Sequence, residues 1–178
     1  MAKNVLILSG SPRKKGNSAM LGEQFAKGAK ESDNTVELLY LRDKKINFCT
    51  ACYHCKKEGI CSIEDDMADI LDKMDKADVI VMASPVYFYS INAQMKALID
   101  RVVARWLTIK NKEFYYIITA AEEESFVKDC TLECMRGLAK CLKGSVEKGW
   151  LFGGGVYEAG KIQDTHYMQD VYDMGRSV

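Results

Sequence analysis

Long apolar runs are missing from this sequence: nowhere do its 178 residues hold the stretch of about 20 that a membrane-spanning helix needs. The start, Met1-Ala2-Lys3-Asn4, leads straight into the apolar Val5-Leu6-Ile7-Leu8 without the layout of a secretory leader. An excess of one charge is also missing. Lys plus Arg number 25 and Asp plus Glu 25, so neither nucleic acid nor an anionic membrane is expected as partner. The basic run Arg13-Lys14-Lys15 is too short to alter this. Proline is scarce, at two residues, and no Ser/Gly-rich linker, internal repeat or low-complexity tract is present. Residues 1–178 are therefore expected to form one domain with a sizeable core.

Cysteine, by contrast, is plentiful. Seven residues, an odd number without a secretion signal, argue against a disulfide framework and for reduced thiols, a metal or a cluster, and a cytoplasmic setting.

The most informative segment is Ser9-Gly10-Ser11-Pro12-Arg13-Lys14-Lys15-Gly16-Asn17-Ser18, between an apolar strand and a helix that begins near Asn17. Strand, Gly/Ser turn and helix N-terminus together make an anion site. The first-turn N–H groups are unpaired and the helix dipole is positive there. Ser9, Ser11, Asn17 and Ser18 add short donors that suit a phosphate. The spacing is neither that of a P-loop, since five residues separate Gly10 and Gly16 and Asn17 follows, nor that of a dinucleotide fingerprint, which needs three clustered glycines. A hydroxyl-rich phosphate loop remains, with an ordinary loop capped by Asn17 or Ser18 as the plain alternative.

Apolar and amphipathic runs then alternate. Strands are expected at Val5–Leu8, Thr35–Tyr40, Val79–Ala83, Phe114–Thr119 and Val146–Phe152. Helices are expected at Asn17–Lys30, Asp65–Lys76, Ile91–Leu107, Ser125–Leu142 and about Thr165–Met174. This alternation predicts an α/β fold with a parallel sheet covered on both faces, and ligands at the carboxyl ends of its strands. The loop after strand three, Ser84-Pro85-Val86-Tyr87-Phe88-Tyr89-Ser90, carries three consecutive aromatics. Placed there they suit a flat conjugated ring; burial in the core or in a subunit contact is the alternative.

Two motifs in this order and at this separation, Gly10-Ser11-Pro12-Arg13…Gly16-Asn17-Ser18 and Ser84-Pro85-Val86-Tyr87-Phe88…Ala93-Gln94-Met95-Lys96-Ala97-Leu98-Ile99-Asp100-Arg101, resemble the NADPH-dependent FMN reductase family. This is a flavodoxin-like superfamily that includes the iron–sulfur flavoproteins. The resemblance runs from residue 1 to about 160 and is weakest after strand four. It implies a flavodoxin-like three-layer sandwich with five parallel strands in the order 2-1-3-4-5, and noncovalent FMN. Ser9, Ser11, Arg13, Asn17 and Ser18 would hold the phosphate. Pro85, Val86, Tyr87 and Phe88 would line the isoalloxazine ring, with Thr119 and Ala120 as a third contact. It also implies a homodimer or homotetramer, with Tyr89 and the helix ending in Trp106 as part of the contact.

Cys49, Cys52, Cys55 and Cys61 fall within one loop, at about 46–63, with two residues between each of the first three. That spacing wraps cubane clusters in ferredoxins. Zinc is a rival, although zinc sites more often show two separated pairs, and unmetallated redox thiols are another. The same spacing resembles the iron–sulfur flavoproteins and implies a [4Fe-4S] cluster. His54, inside the motif, is expected to be exposed rather than a ligand, and His166 to lie at the surface. Cys130, Cys134 and Cys141 share a helix with Leu138 and are expected to pack into the core.

In this reading the reactive group is the flavin, so no catalytic side chain is assigned. NAD(P)H as co-substrate would reduce FMN, which would reduce a quinone, flavin or other small acceptor. A cluster would instead make the chain an electron-transfer module for a ferredoxin-like protein. A non-catalytic thiol or zinc redox sensor is the third possibility.

Overall fold

The computed structural model describes residues 2–178. The parallel strands are β1 (Asn4–Ser9), β2 (Thr35–Tyr40), β3 (Val79–Tyr87), β5 (Glu113–Thr119) and β6 (Val146–Gly153), in the order β2-β1-β3-β5-β6. Their register aligns Leu6 with Ile80 and Ile80 with Phe114. The helices are α1 (Asn17–Glu31), α2 (His54–Glu58), α3 (Met67–Lys76), α4 (Ala93–Arg101), α5 (Asp129–Cys141) and α6 (Tyr167–Arg176). The sheet is the expected flavodoxin-like one, with a sixth strand that was not expected.

That strand is β4 (Ser90–Ile91), which pairs antiparallel with the end of β3 through Val86↔Ile91 and Tyr87↔Ser90. The expected loop at 84–90 is thus a hairpin with Phe88 and Tyr89 at its tip. Their φ values are 48° and 59°. Positive φ at both central residues matches a two-residue turn to the twist of the flanking strands, a position usually taken by Asn-Gly.

Alternating residues of the central strands feed two cores, as a doubly covered sheet requires. Leu6, Leu8, Ile80, Met82, Phe114, Tyr116 and Ile118 face Met67, Ile70 and Met74 of α3, Met95 and Leu98 of α4, and Leu132 and Met135 of α5. Val5, Ile7, Val79, Val81 and Ile117 face Leu21, Phe25 and Ala29 of α1 and Val171 of α6. Fully buried side chains such as Leu21 and Phe25 each contribute about 1.5–3 kcal/mol. Helices α1 and α6 touch backbone to backbone, because a Cβ at Gly28 would strike the Tyr172 carbonyl and one at Gly175 the Phe25 carbonyl.

Four local expectations change. Helix α4 stops at Arg101 and continues only as a tight turn at Val102–Ala104, so Trp106 lies beyond the helix and is exposed. Residues 125–128 form a separate tight turn before α5. The cysteine loop holds the short helix α2. Cys130 and Cys141 are exposed and Cys134 half-buried, because α5 buries Thr131, Leu132, Met135, Leu138 and Ala139 and the cysteines fall beside that face. No helix among the described residues is long and apolar enough to cross a membrane.

Candidate functional site

The carboxyl ends of β1, β3 and β5 open on a cavity of about 190 Å³. Ser11, Arg13, Asn17, Ser18, Pro85, Val86, Tyr87, Thr119 and Ala120 line it, so three loops far apart in sequence meet as parallel-sheet topology demands. Gly16 is the residue before α1, and no side chain caps the helix; a Cβ there would overlap the Ser11 hydroxyl. The N–H of Met20 is the first to find a helical partner, the Gly16 carbonyl at 3.0 Å. The N–H groups of Asn17, Ser18 and Ala19 precede it and belong to the unpaired first turn that favours an anion.

The hydroxyls at this end are placed unequally. Ser9 and Ser18 are buried, and their Oγ atoms have no partner. Buried polar groups are rarely left unpaired, so the orphan Ser18 hydroxyl in the first turn of α1 fits the phosphate that the loop chemistry calls for, and Ser9 at the end of β1 is the second orphan. Ser11 Oγ donates to the Arg13 carbonyl at 3.2 Å. Arg13 is exposed, its Nη1 3.4 Å from the Tyr157 carbonyl.

Asn17 behaves differently from the expectation. Its Nδ2 donates to the Val156 and Glu158 carbonyls, both at 2.9 Å, and its Oδ1 accepts from Ile162 N at 3.3 Å. The carboxamide is committed to loop 156–162, and Asn17 presents only its backbone N–H to a ligand. Through this tie Val156 and Tyr157, which the sequence did not mark, enter the lining. Phe88 does not line the cavity: the turn throws its side chain into solvent, fully exposed. Ser9 lies at the end of β1, outside the lining.

Asn92 is the main residue the sequence did not mark. Buried ahead of α4, it donates from Nδ2 to the Gly10 carbonyl, and its Oδ1 accepts from Ser84 Oγ at 3.2 Å. It ties the first loop to β3. Its sequence signal, an Asn at a helix start, is indistinguishable from an ordinary cap. Outside the lining, Tyr89 stacks on Phe126 with ring centroids 6.2 Å apart, and its hydroxyl lies 3.3 Å from Glu122, whose negative charge pushes the phenol pKa up.

The four loop cysteines stand apart from the cavity lining. Cys49 and Cys52 are exposed, Cys55 and Cys61 half-buried, and all four are free thiols. Among the described residues no three Cys, His, Asp or Glu side chains gather where a metal ion could sit. The donor set has the number and type a cluster or zinc requires, but the expected convergence is not formed, because most of the loop side chains face solvent and no core packing draws the thiols inward. Cys52 Sγ lies 3.4 Å from Ser62 Oγ, and this hydrogen bond, with the His54 N–H, lowers its thiol pKa.

The model of the NADPH-dependent FMN reductase family matches residues 3–124, which contain the phosphate loop, the thiol loop and the β3–β4 hairpin. The chain belongs to this family. An iron–sulfur flavoprotein of Methanocaldococcus jannaschii is 44% identical over 97 residues, covering 54% of this chain and 50% of that protein. Another, of Methanosarcina thermophila, is 37% identical over 108 residues, covering 59% and 56%. The chain thus spans about half the length of the curated relatives it matches. Among solved structures, an NAD(P)H:quinone oxidoreductase from Methanothermobacter marburgensis superposes with a TM-score of 0.78 at 17% identity, over 99% of this chain and 97% of that one. An FMN-dependent NADH-azoreductase from Bacillus anthracis, in complex with FMN, gives 0.73 at 15% identity, over 98% of each chain. At these identities the structures establish that this member of the FMN reductase family has the flavodoxin-like fold.

Proposed function

We propose that this chain is an FMN-dependent oxidoreductase taking electrons from NAD(P)H to a small acceptor such as a quinone or a free flavin. The observation that carries the reading is the orphan hydroxyl of Ser18 in the unpaired first turn of α1, which lines the cavity, with a second orphan hydroxyl, Ser9, at the end of β1. Together with Ser11, Arg13 and the Asn17 N–H they hold the FMN phosphate. Pro85, Val86 and Tyr87, together with Thr119 and Ala120, all in the cavity lining, would line the flavin ring. When bound, FMN would supply the redox chemistry, accepting two electrons as hydride from NAD(P)H for delivery to the acceptor. No side chain is assigned as acid or base. The whole described chain serves as one FMN-binding domain in the cytoplasm, with the thiol loop as an insertion.

Anaerobic titration with FMN, followed by NADH or NADPH, tests this reading. Stoichiometric FMN uptake and rapid bleaching of the visible flavin band are expected. Failure to take up FMN overturns it.

A second reading is favoured by Cys49, Cys52, Cys55 and Cys61 together with the names of the relatives: an iron–sulfur flavoprotein passing electrons between proteins through FMN and a [4Fe-4S] cluster. A hollow of about 600 Å³ beside the thiol loop, with Tyr53, Val103, Trp106 and Leu107 in its wall and Lys56 and Lys57 alongside, suits an acidic ferredoxin-like partner. Exposed Trp106, Leu107 and Phe88 also fit a homodimer or homotetramer. Iron and acid-labile sulfide, measured on protein purified without oxygen, separate the readings: about four irons per chain supports the second, and flavin without iron the first.

A further inference from the structure

The base of the thiol loop is closed by one ion pair that neither reading uses. Arg101, the last residue of α4, and Asp65 have side chains 1% and 0% exposed. Arg101 Nη1 donates to Asp65 Oδ2 at 2.7 Å and Nη2 to Asp65 Oδ1 at 3.0 Å, the bidentate arrangement that only a guanidinium provides. The same fork reaches backbone on both sides of the loop: Nη1 donates to the Asn47 carbonyl at 2.8 Å and Nη2 to the Ile63 carbonyl at 3.4 Å. Asp65 in turn accepts from Asn47 N at 2.8 Å and from Met67 N at 3.1 Å. Just outside, Lys45 N donates to Asp66 Oδ2 at 2.6 Å and Asp66 N to the Lys45 carbonyl at 3.1 Å. The segment that enters the loop and the segment that leaves it are therefore joined across Arg101, with Cys49 and Cys61 just inside the join.

One guanidinium nitrogen is left over. Arg101 Nε is buried and has no partner. Burial works against the charge of this guanidinium, but the Asp65 carboxylate holds it charged. Cys61 is half-buried and stands two residues before Ile63, whose carbonyl the fork holds. Cys49 and Cys52, two and five residues past Asn47, are exposed.

We propose that Arg101 is the positioning residue of the thiol loop: paired with Asp65, it closes the loop at its base and holds Cys61 as the anchored thiol toward which the others must move. This inference concerns the thiol site of the second reading, and it holds whether that site carries iron, zinc or free thiols. A binding loop of four thiols loses much chain entropy on closure; a preformed base removes part of that cost. Helix α4 links this base to the cavity, since Asn92, which holds Gly10, stands at its other end.

The test is iodoacetamide labelling of reduced, metal-free protein with FMN bound, read residue by residue by mass spectrometry. At pH 10, above the ordinary thiol pKa of about 8.5, access rather than ionisation sets the rate. In the wild type, Cys61 should label slowest of the four loop thiols. The variant Arg101→Met with Asp65→Leu removes both charges and leaves neither buried alone. In it, Cys61 labelling should rise about tenfold as the loop opens, while half-buried Cys134, outside the loop, keeps its rate. An unchanged Cys61 rate, or a rise shared equally by Cys134, overturns the proposal; the latter outcome makes the pair a general stabiliser. Arg101→Lys is the conservative second variant, retaining the charge without the fork. Should the double variant fail to melt cooperatively, a Cys61 rate in Arg101→Lys equal to that of the wild type overturns the proposal, and a raised one upholds it. Because the labelling needs no iron, its failure is distinct from a failure to find a cluster.

Discussion

The cavity and the thiol loop form two sites built on opposite principles. The cavity is made of strand ends, a helix N-terminus and buried hydroxyls, all placed by the core beneath them. The thiol loop is joined at its base and by the Cys52–Ser62 hydrogen bond, and among the described residues no three of its thiols gather at one point. A site drawn from backbone N–H groups and strand ends is ready once the sheet folds. A site drawn from side chains on an exposed loop needs its ligand to finish it, so there binding and ordering share one free energy. On the proposed reading Arg101 marks the boundary between the preformed fold and a loop that its ligand would order.

The sharpest way to break this contrast is to remove one member of the clamp. Arg101→Met leaves the Asp65 carboxylate buried and unpaired, and a cost of about 3 kcal/mol is expected, a fall in Tm of roughly 6–12 °C. Asp65 keeps its bonds from the Asn47 and Met67 N–H groups, and for that reason the low end of the usual range is taken. Its pH dependence has a definite sign. Burial alone would raise the Asp65 pKa, but Arg101 and the Asn47 and Met67 N–H groups outweigh it and hold the folded value below the ordinary one. Asp65 therefore contributes stability above its unfolded pKa of about 3.9, and that contribution is lost as pH falls through the lower folded value. The stability gap between wild type and Asp65→Asn should be full at pH 7 and shrink below about pH 4. Equilibrium unfolding at both pH values checks this.

On the cavity side, Gly16→Ala places a methyl group on the Ser11 hydroxyl and should weaken FMN binding about a hundredfold, about 2.7 kcal/mol, with thiol labelling in the loop unchanged. Isothermal titration alongside labelling would show whether the two sites are independent. Asn92→Ala removes the side-chain tie between Gly10 and β3, leaving the Gly10 N–H on the Ala83 carbonyl at 2.8 Å; a loss of about 1–3 kcal/mol in stability and about tenfold in FMN affinity is expected. The smallest effect tests the hairpin. Phe88 is fully exposed at φ 48°, so Phe88→Gly should relieve about 1 kcal/mol of left-handed strain and raise Tm by about 2–4 °C. FMN affinity should stay within about twofold, as expected for a side chain outside the lining; a larger loss would return Phe88 to the ring contacts that the family resemblance implied.

Much of the fold was legible because it is written in periodicity. Strand β2 lies where its apolar alternation put it, and β1, α1, α5 and β6 differ from expectation only near their ends. The hairpin was not legible, since Phe88-Tyr89 carries none of the usual turn chemistry and the left-handed backbone there is imposed by pairing with β3. Cys130 and Cys141 misled because a spacing of four and seven can lie beside a buried face as well as on it. Asn17 was rightly placed at the mouth of the site, yet its side chain serves residues 156–162, a partner no local pattern reveals.

Sequence alone determined the alternation of strands and helices, the Gly/Ser loop at a helix N-terminus and the four thiols in one segment, because each is a matter of local order along the chain. Only the tertiary structure decided which hydroxyls are left without partners, that Asn92 joins the two halves of the cavity, and that a guanidinium from α4 closes a loop whose nearest residue, Ile63, lies 38 positions earlier. Those outcomes depend on burial and on contacts between distant segments, and a buried polar atom must find its partner wherever the packing brings one.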